Sequence, residues 1–501
     1  MVKSVKKIEK EEANTSKNDY KNREKTINFT DEVKKFISPS HVSTNPYELE
    51  SASGDLTSIA FYHYKFRKKY LASHIVRPAD TEELSHLIKI CRDNSIPVTI
   101  RAAGTSCFSS ATPTKGGAII DVRRLNKINN IDLDKMTVKC GAGISWLNLI
   151  EHLVDYGLAP KCYPTSFKTS CVCGFIATPG TAGIGVPKYG SMKESIISLV
   201  LVQPDGKIIE ISRDSKGEIA LDDIIGTCGI YGAIAEVELS LTTLKTSLEI
   251  IGYGFSDIKD AVKLYFTLKN ELQYKPFFLS ISEQNFEKYS HITFPEQDWF
   301  VWAVYYDDPE ENSKSISAVR DIASKLNGID VDKTYLKEKW RDIGEAEIGI
   351  GRSCRNLLFQ EYWIPDQNLT DFIDEYVKKS KKYEFLTAIY TIGGVKGWSR
   401  IKVFGLTDIS NSREFFAIKA FLHELSVKVF SQGDRVYTVG VVNTFYFLKY
   451  RPKEIEKRKA LKDKLDPENL FNSYRIVESK MKFWRISLMF KTAKFLYKIF
   501  H

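Results

Sequence analysis

Short apolar runs and helical repeats alternate along the first half of the chain and predict an α+β architecture. Apolar runs bounded by turn residues predict strands over 74–77, 97–101, 117–122, 136–138, 198–203, 207–211 and 230–241. Apolar residues spaced by three or four predict two helices, one over 146–156 and one capped by Thr81 that contains Leu84, Leu87, Ile88 and Cys91. The two element types alternate irregularly, which argues against a doubly wound parallel sheet.

The same pattern divides the chain into five predicted segments. Residues 1–30 are polar and lysine-rich and predict a disordered leader. Residues 31–245 form one predicted domain. Residues 246–450 form a second, with strands over 248–253, 277–281 and 300–306 and charged helices over 313–326 and 411–429. Residues 451–476 begin with a helical pattern over 455–465, and residues 477–501 form a separate tail.

Charge and length bound the class of protein. The chain has 501 residues, 43% of them hydrophobic, enough for two ordinary domains with their own cores. The formal net charge of +9 is concentrated at the ends, because residues 1–25 carry +3 and residues 480–501 carry +6. The body between them is neutral, so no nucleic-acid partner is expected.

Cysteine spacing and hydropathy predict the compartment. The eight cysteines include no C-x-x-C pair, which argues against a zinc ribbon or an iron–sulfur site on this chain. The N-terminus has no apolar signal segment, and no uncharged apolar run has membrane-spanning length. A cytoplasmic protein with reduced thiols is therefore predicted.

Three glycine-rich turns carry the candidate chemistry of the first domain. They are Gly104-Thr105-Ser106, the stretch 174–190 and G-T-C-G-I-Y-G over 226–232. Glycine lets backbone N–H groups approach phosphate oxygens, but it also makes tight turns that bind nothing, so each turn alone leaves both interpretations open. The third turn is not part of a strand–turn–helix unit with a following acidic residue, which disfavours a Rossmann dinucleotide site.

As an ordered set, the segments resemble the FAD-binding domain of the vanillyl-alcohol-oxidase and p-cresol-methylhydroxylase family. The similar segments are V-R-P-A-D-T-E-E-L (76–84), P-V-T-I-R-A-A-G-T-S (97–106), G-G-A-I-I-D-V-R-R-L-N-K-I (116–128), V-K-C-G-A-G-I-S-W-L-N (138–148), G-F-I-A-T-P-G (174–180), K-Y-G (188–190), V-Q-P-D-G (202–206), I-I-G-T-C-G-I-Y-G-A-I-A-E-V-E-L (224–239) and L-D-P-E-N-L-F-N (465–472). The resemblance implies an FAD-binding domain of two subdomains, which the chain re-enters after an α+β substrate (cap) domain.

The resemblance also implies which residues hold FAD. The pyrophosphate would lie against Ala102, Ala103, Gly104, Thr105 and Ser106. The ribityl chain and flavin ring would be flanked by Pro164, Thr165, Ser166, Gly174, Ala177 and Thr178, with Gly183 and Tyr189 on the adjoining loop. Ile234 would pair with the adenine, and Asn472 would lie near the flavin ring.

Three positions depart from the family pattern. Members with covalently held FAD often have His where this chain has Thr105, and doubly linked members have Cys at the position of Phe167, so FAD is expected to be non-covalent. The family favours Gly-Gly where this chain has Cys173-Gly174. The Cys173 thiol is expected either to be a small buried group or to touch the flavin.

The second domain offers fewer motifs. In the family's lactate and glycolate branch, H-x-G-D-G and E-H-G motifs supply a metal site and a base, but the matching stretches 388–394 and 434–440 contain no histidine, so no metal is predicted. An arginine could clamp a carboxylate and a tyrosine could accept a hydroxyl proton. The candidate catalytic residues are Arg400, Tyr437, Arg435 and Tyr390, with Lys402 and Asn443 as further polar candidates, and each could instead be structural. Glu361 could form an ion pair with Arg352 or Arg355.

Branch resemblance implies FAD-dependent oxidation of a small 2-hydroxy acid such as D-lactate or glycolate, with electrons passed to a quinone or an iron–sulfur partner subunit. Two alternatives remain open. One is a flavin-dependent enzyme that modifies lipids or isoprenoids at a membrane, and the other is a non-catalytic flavin-binding subunit of a membrane complex.

The tail is a separate signal. Residues 480–501 contain six basic residues and no acidic one. On a helical wheel Ser487, Lys491, Lys494 and Lys498 form one polar sector, and large apolar residues occupy the rest. This composition is typical of a helix lying on an anionic membrane, although docking on a partner subunit or on the chain's own body would also satisfy it. We therefore expect a peripheral protein on the inner face of the cell membrane.

Overall fold

The computed structural model describes residues 29–57, 70–290, 296–345, 349–350, 358–383, 385–407 and 411–499. Within these ranges the chain forms three sheets with helices packed on them. The predicted α+β class is confirmed. Most of the predicted leader lies outside the described residues.

The first sheet contains parallel and antiparallel pairs in the order β1-β2-β4-β3. Its strands are β1 (Val42–Ser43), β2 (His74–Val76), β3 (Val98–Arg101) and β4 (Ala118–Asp121). The strands β2 and β3 run parallel to β4, and β1 is antiparallel to β2. A parallel neighbour requires a crossover, which the helix Thr81–Asp93 provides between β2 and β3.

The cap of this helix is Asp80 rather than the predicted Thr81. The Asp80 carboxylate accepts a hydrogen bond from Glu83 N at 2.8 Å, and the Glu83 carboxylate accepts one from Ala79 N at 2.7 Å. Thr81 is already helical, and its hydroxyl donates to Glu236 at 3.0 Å. Asp80 is the cap because its carboxylate accepts from a free N–H of the first turn, and the Glu83 carboxylate binds the N–H of Ala79, one residue before the cap.

The second sheet is antiparallel, in the order β5-β6-β10-β8-β9, with β7 also paired to β10. Its strands are β5 (Ile128–Asp132), β6 (Thr137–Gly141), β7 (Leu158–Pro160), β8 (Ile196–Val202), β9 (Ile208–Ser212) and β10 (Ala233–Thr243). The predicted strands over 198–203 and 207–211 are present as β8 and β9, which form an antiparallel hairpin. Between β6 and β7 the helix Trp146–Val154 buries Trp146, Leu149 and Leu153.

The third sheet is antiparallel, in the order β14-β11-β13-β12-β16-β17-β15-β18. Its strands are β11 (Ser247–Phe255), β12 (Phe278–Glu283), β13 (Trp299–Asp307), β14 (Ile329–Asp330), β15 (Leu358–Pro365), β16 (Leu386–Gly393), β17 (Trp398–Leu406) and β18 (Arg435–Val436). Helices of this region include Ile258–Phe266, Gln284–Ser290, Pro309–Lys325, Lys333–Arg341, Leu369–Ser380 and Ser412–Ser431. The predicted boundary at residue 245 falls between β10 and β11.

After the third sheet the chain returns to the first. The helices Thr444–Tyr450 and Pro452–Leu465 lead to a segment whose residues 470–472 lie beside β3. There Val98 N donates to Leu470 O at 2.8 Å and Asn472 N donates to Val98 O at 2.9 Å. The last described element is the helix Phe483–Ile499, here called the tail helix. No helix among the described residues is long and apolar enough to cross a membrane.

Candidate active site

One cleft is lined by turns of the first two sheets on one side and by strands of the third sheet on the other. It encloses about 1620 Å³ of space, part of it open to solvent. Of the fifteen predicted FAD-binding residues, the following thirteen line it: Ala102, Ala103, Gly104, Thr105, Ser106, Pro164, Thr165, Ser166, Gly174, Ala177, Thr178, Ile234 and Asn472. The structure thus brings together turns that are far apart in the sequence.

The first of these turns follows β3 directly. Gly104 has a φ of +71°, a left-handed conformation that side chains disfavour. A Cβ on Gly104 would also meet the Arg101 guanidinium at 2.1 Å. The Ser106 hydroxyl shapes the turn by accepting hydrogen bonds from Phe108 N at 3.1 Å and Ser110 N at 3.3 Å. Because its side chains are small and its backbone turns at Gly104, the backbone of residues 102–106 lies at the surface of the cleft.

A second wall is formed by residues 171–178. A Cβ built on Gly174 meets no atom within 4 Å, so a side chain there would enter open space beside the cleft. The neighbouring Cys173 is buried, and this burial raises the pKa of its thiol well above the usual range. The thiol therefore stays protonated at neutral pH and acts as a small apolar group in the wall.

Asn472 joins a strand of the first sheet to a turn beside the second sheet. Its Oδ1 accepts a hydrogen bond from Ile100 N at 3.0 Å, and its Nδ2 donates to Cys228 O at 3.1 Å and Gly229 O at 2.9 Å. The residue has a φ of +45°, a conformation that asparagine tolerates better than most residues. One side chain thus ties β3 to the 226–232 turn.

The opposite wall holds a buried cluster of charges on two adjacent strands. Glu361 on β15 pairs in register with Lys402 on β17, and Arg400 lies two residues from Lys402, so all three side chains share one face of the sheet. Glu361 Oε1 lies 3.5 Å from Lys402 Nζ and 3.9 Å from Arg400 Nη1. The Thr438 hydroxyl donates to Glu361 Oε2 at 2.8 Å. Each of these four side chains lines the cleft.

Glu361 and Thr438 were not among the candidate catalytic residues. The sequence did contain a signal for Glu361, which is the only charged residue of the mainly apolar strand L-F-Q-E-Y-W-I-P. A carboxylate in a buried strand needs a charged or hydrogen-bonding partner, so its presence points to a polar site inside the protein. The Glu361 pairing suggested by the sequence involves Arg352 and Arg355, which lie outside the described residues.

The four candidate catalytic residues occupy different places. Arg400 and Tyr437 line the cleft, with the Arg400 guanidinium carbon 4.9 Å from the centroid of the Tyr437 ring. The Tyr437 hydroxyl accepts hydrogen bonds from Thr181 N at 3.1 Å and Ala182 N at 3.2 Å, so it ties the chain after β18 to the loop that contains these two residues.

Tyr390 and Arg435 lie away from the cleft lining. Tyr390 is buried and stacks on Phe286 at 4.3 Å between ring centroids, inside the core of the third sheet. Arg435 is on the edge strand β18 with an exposed side chain. Asn443, a further polar candidate, is buried and accepts from Gln360 Nε2 at 2.8 Å.

The remaining two predicted FAD residues also lie outside the lining. A Cβ on Gly183 would meet Tyr163 O at 2.7 Å, so this glycine permits a close backbone contact. The Tyr189 ring packs edge-on against Phe277 at 6.3 Å. Both residues support the loop rather than face the cleft. Across the described ranges, no group of three or more His, Cys, Asp or Glu side chains could hold a metal ion.

Comparison with known proteins decides the identity of the cofactor. Residues 72–212 match the model of a family described as an FAD binding domain. The chain is 24% identical over 436 residues to the glycolate oxidase subunit GlcD of Bacillus subtilis, which covers 82% of this chain and 90% of that protein. It is 23% identical to a D-lactate dehydrogenase of Archaeoglobus fulgidus, with coverage of 80% and 91%. The chain is an FAD-dependent oxidoreductase.

The fold of this flavoenzyme is that of the vanillyl-alcohol-oxidase type. p-Cresol methylhydroxylase with substrate bound superposes with a TM-score of 0.76 at 15% identity, covering 91% of this chain and 97% of that one. The cleft fits FAD, because glycine and small side chains line its cofactor side and the open space at Gly174 leaves room for a planar ring.

Proposed function

We propose that this flavoenzyme oxidises a small 2-hydroxy acid, such as D-lactate or glycolate, with non-covalent FAD. The observation that supports this substrate class is the charge of the cleft wall. Among the described residues that line the cleft, the charged ones are Arg400, Lys402 and Glu361. Two cations and one carboxylate leave a net positive charge in a buried wall, which favours a substrate that carries one carboxylate.

The proposed roles follow from the contacts of each side chain. Arg400 binds the substrate carboxylate, because a guanidinium presents a planar pair of donors that matches it. Glu361 accepts the proton of the substrate hydroxyl, and the hydrogen bond from Thr438 fixes its carboxylate. When bound, FAD supplies the acceptor for the hydride that leaves the carbon bearing this hydroxyl. The substrate then leaves as a 2-keto acid.

Lys402 orients the proposed base. Its ammonium group lies 3.5 Å from Glu361 Oε1, and its position opposite Glu361 in the sheet register fixes the pair. The names of the two relatives, a glycolate oxidase subunit and a D-lactate dehydrogenase, support the same substrate class.

Anaerobic bleaching of the flavin absorbance tests the proposal. D-lactate, L-lactate and glycolate are compared with 1,2-propanediol and ethylene glycol, which keep the hydroxyl groups but lack the carboxylate. We expect bleaching by at least one acid and by neither diol. Equal bleaching by a diol and its matching acid would contradict a carboxylate-binding wall, and bleaching by none of these acids would remove lactate and glycolate as substrates.

The mode of FAD attachment has its own test. Thr105 lines the cleft and Phe167 packs edge-on against Tyr163 at 5.4 Å, and neither side chain can form the bonds that His or Cys makes to a flavin. Acid precipitation should therefore release all the yellow colour into the supernatant as FAD. Flavin that stays on the precipitated polypeptide would contradict the non-covalent assignment.

The proposed electron acceptor is a quinone or an iron–sulfur partner. The relative from Bacillus subtilis is named as a subunit, which supports transfer to a second component rather than to oxygen. Stopped-flow reoxidation of the substrate-reduced enzyme by a short-chain quinone, ferricyanide and oxygen measures this preference. Reoxidation by oxygen at a rate equal to or above that by the quinone and ferricyanide would contradict it.

A further inference from the structure

The tail helix lies on the body of the enzyme through one face only. Ile486 and Tyr497 on this face are buried, and Phe490 packs against His423 of the helix Ser412–Ser431 with 5.1 Å between ring centroids. His423 Nε2 lies 3.1 Å from the Ser487 hydroxyl, and Lys494 forms an ion pair with Glu424. Part of the polar sector of the helix is therefore turned inward and held by the body.

The opposite face is apolar and open to solvent. Trp484, Leu488, Phe495 and Ile499 follow each other at spacings of four, seven and four residues, so they lie along one side of the helix. Their exposed fractions are 59%, 58%, 63% and 55%. Leu496 and Met489 widen this strip and are exposed as well. We call these six residues the outer face.

Basic residues accompany the outer face. Lys491 and Lys498 are exposed at its edge, Arg485 lies among its residues with its guanidinium carbon 5.2 Å from the centroid of the Trp484 ring, and residues 480–501 contain no acidic residue. A second copy of the same helix would bring like charges together, which disfavours self-association through this face. An anionic surface with an apolar layer beneath it would match both the charges and the exposed side chains.

We propose that the outer face binds an anionic phospholipid bilayer, with the tail helix parallel to the surface and still docked on the enzyme. The apolar side chains enter the boundary between headgroups and acyl chains, and the flanking lysines meet lipid phosphates. The inward contacts of His423 and Glu424 fix the orientation of the whole enzyme, because they make the helix part of the body.

The beginning of the tail is also fixed. Lys480 Nζ donates to Thr114 O at 2.9 Å and lies 4.3 Å from the centroid of the Tyr474 ring. Nearby, the buried Arg475 donates to Ser110 O at 2.9 Å, and Ser110 lines the cleft. Few residues therefore separate the tail helix from the cleft wall. An enzyme bound through the outer face would lie on the bilayer in one defined orientation.

Vesicle sedimentation of the full-length holoenzyme tests the outer face. Vesicles that contain phosphatidylglycerol are compared with vesicles of phosphatidylcholine alone. The variant Leu488→Glu/Phe495→Glu alters the outer face, and Leu133→Glu/Ile329→Glu is the matched control, because it places the same charges at two exposed apolar positions elsewhere. We expect the wild type and the control to bind anionic vesicles, with the outer-face variant at least about tenfold weaker.

Two further measurements make each outcome decisive. Flavin content and circular dichroism should be the same in all three proteins, which separates lost binding from misfolding. Light scattering without vesicles measures self-association. Equal vesicle binding by the outer-face variant and the control, or absence of binding by the wild type, would overturn the proposal. If the wild type and the control are dimers that do not bind vesicles, and the outer-face variant is a monomer, the outer face binds a second copy of the chain instead.

Discussion

The two sides of the cleft present different parts of the chain to a ligand. The cofactor side consists of turns in which glycines and small side chains bring the backbone to the cleft, as at Gly104 and Gly174. The other side, called the substrate side after its proposed role, consists of side chains on neighbouring strands, where Arg400 and Lys402 each lie within 4 Å of Glu361.

This difference predicts different responses to mutation. A backbone turn tolerates changes of side chain unless the new group fills the ligand's space or the turn requires a positive φ. A buried charge cluster depends on every member, because removal of one charge leaves its partners desolvated and unbalanced. The cofactor side should therefore respond to volume, and the substrate side to charge and hydrogen bonding.

The largest effect is expected for Arg400→Met. Loss of the carboxylate-binding guanidinium should lower kcat/KM for the hydroxy acid on the order of 10³-fold, while bound FAD is retained. Arg435→Met is the matched control, because Arg435 is an exposed arginine of the same sheet outside the cleft lining. Steady-state kinetics that give equal losses for the two variants would contradict the assignment of the substrate side.

The next effect is expected for Gly104→Trp. An indole in this turn should weaken FAD binding by at least about 100-fold, or about 2.7 kcal/mol. Gly157→Trp is the control, since Gly157 has a similar φ of +67° but meets no atom within 4 Å and does not line the cleft. Fluorescence titration of the apoproteins with FAD measures both. Similar weakening in the control would trace the effect to backbone strain rather than to the cofactor.

A smaller effect is expected for Thr438→Val, which removes the donor to Glu361 at nearly constant volume. A hydrogen bond to a charged group is worth at least about 1.4 kcal/mol, so kcat should fall about tenfold. Thr438→Ser keeps the hydroxyl and should retain most of the activity. Equal kcat values for the valine and serine variants would show that Glu361 does not depend on this hydrogen bond.

The smallest effect is expected for Cys173→Ala. This side chain is buried in the cofactor wall with its thiol protonated, so its loss removes one small apolar group. FAD affinity should change by less than about threefold, under 0.7 kcal/mol. Fluorescence titration with FAD measures this change in affinity. A loss as large as that expected for Gly104→Trp would mean that the cofactor side also relies on specific side chains.

The difference between the two sides of the cleft also explains which of their residues could be predicted from the sequence. Turn residues are contiguous, so the family resemblance of one short stretch implied all five positions from Ala102 to Ser106, and all five line the cleft. The proposed substrate cluster combines residues 361, 400, 402 and 438, which are brought together by the pairing of β15 with β17 on one side and with β18 on the other. No spacing rule joins them. Tyr390 resembled a cleft residue because it lies on β16, beside β17, but its side chain stacks in the core.

Local competition accounts for the helix cap. Asp80 and Thr81 are both good capping residues, but the helix begins at Thr81, so the carboxylate of the preceding Asp80 is the group that accepts from Glu83 N. The tail illustrates the limit of a helical wheel. Its polar sector was predicted, but only the tertiary structure determines that Ser487 and Lys494 from this sector contact the body.

Asn472 has a consequence for how the enzyme is made. The bond from Ile100 N to Asn472 Oδ1 joins positions separated by 372 residues, with the whole third sheet synthesised between them. A nascent chain that has completed β10 has the glycine turns but lacks the side chain that ties them together. Tight retention of FAD is therefore expected only after the ribosome has finished the cap region.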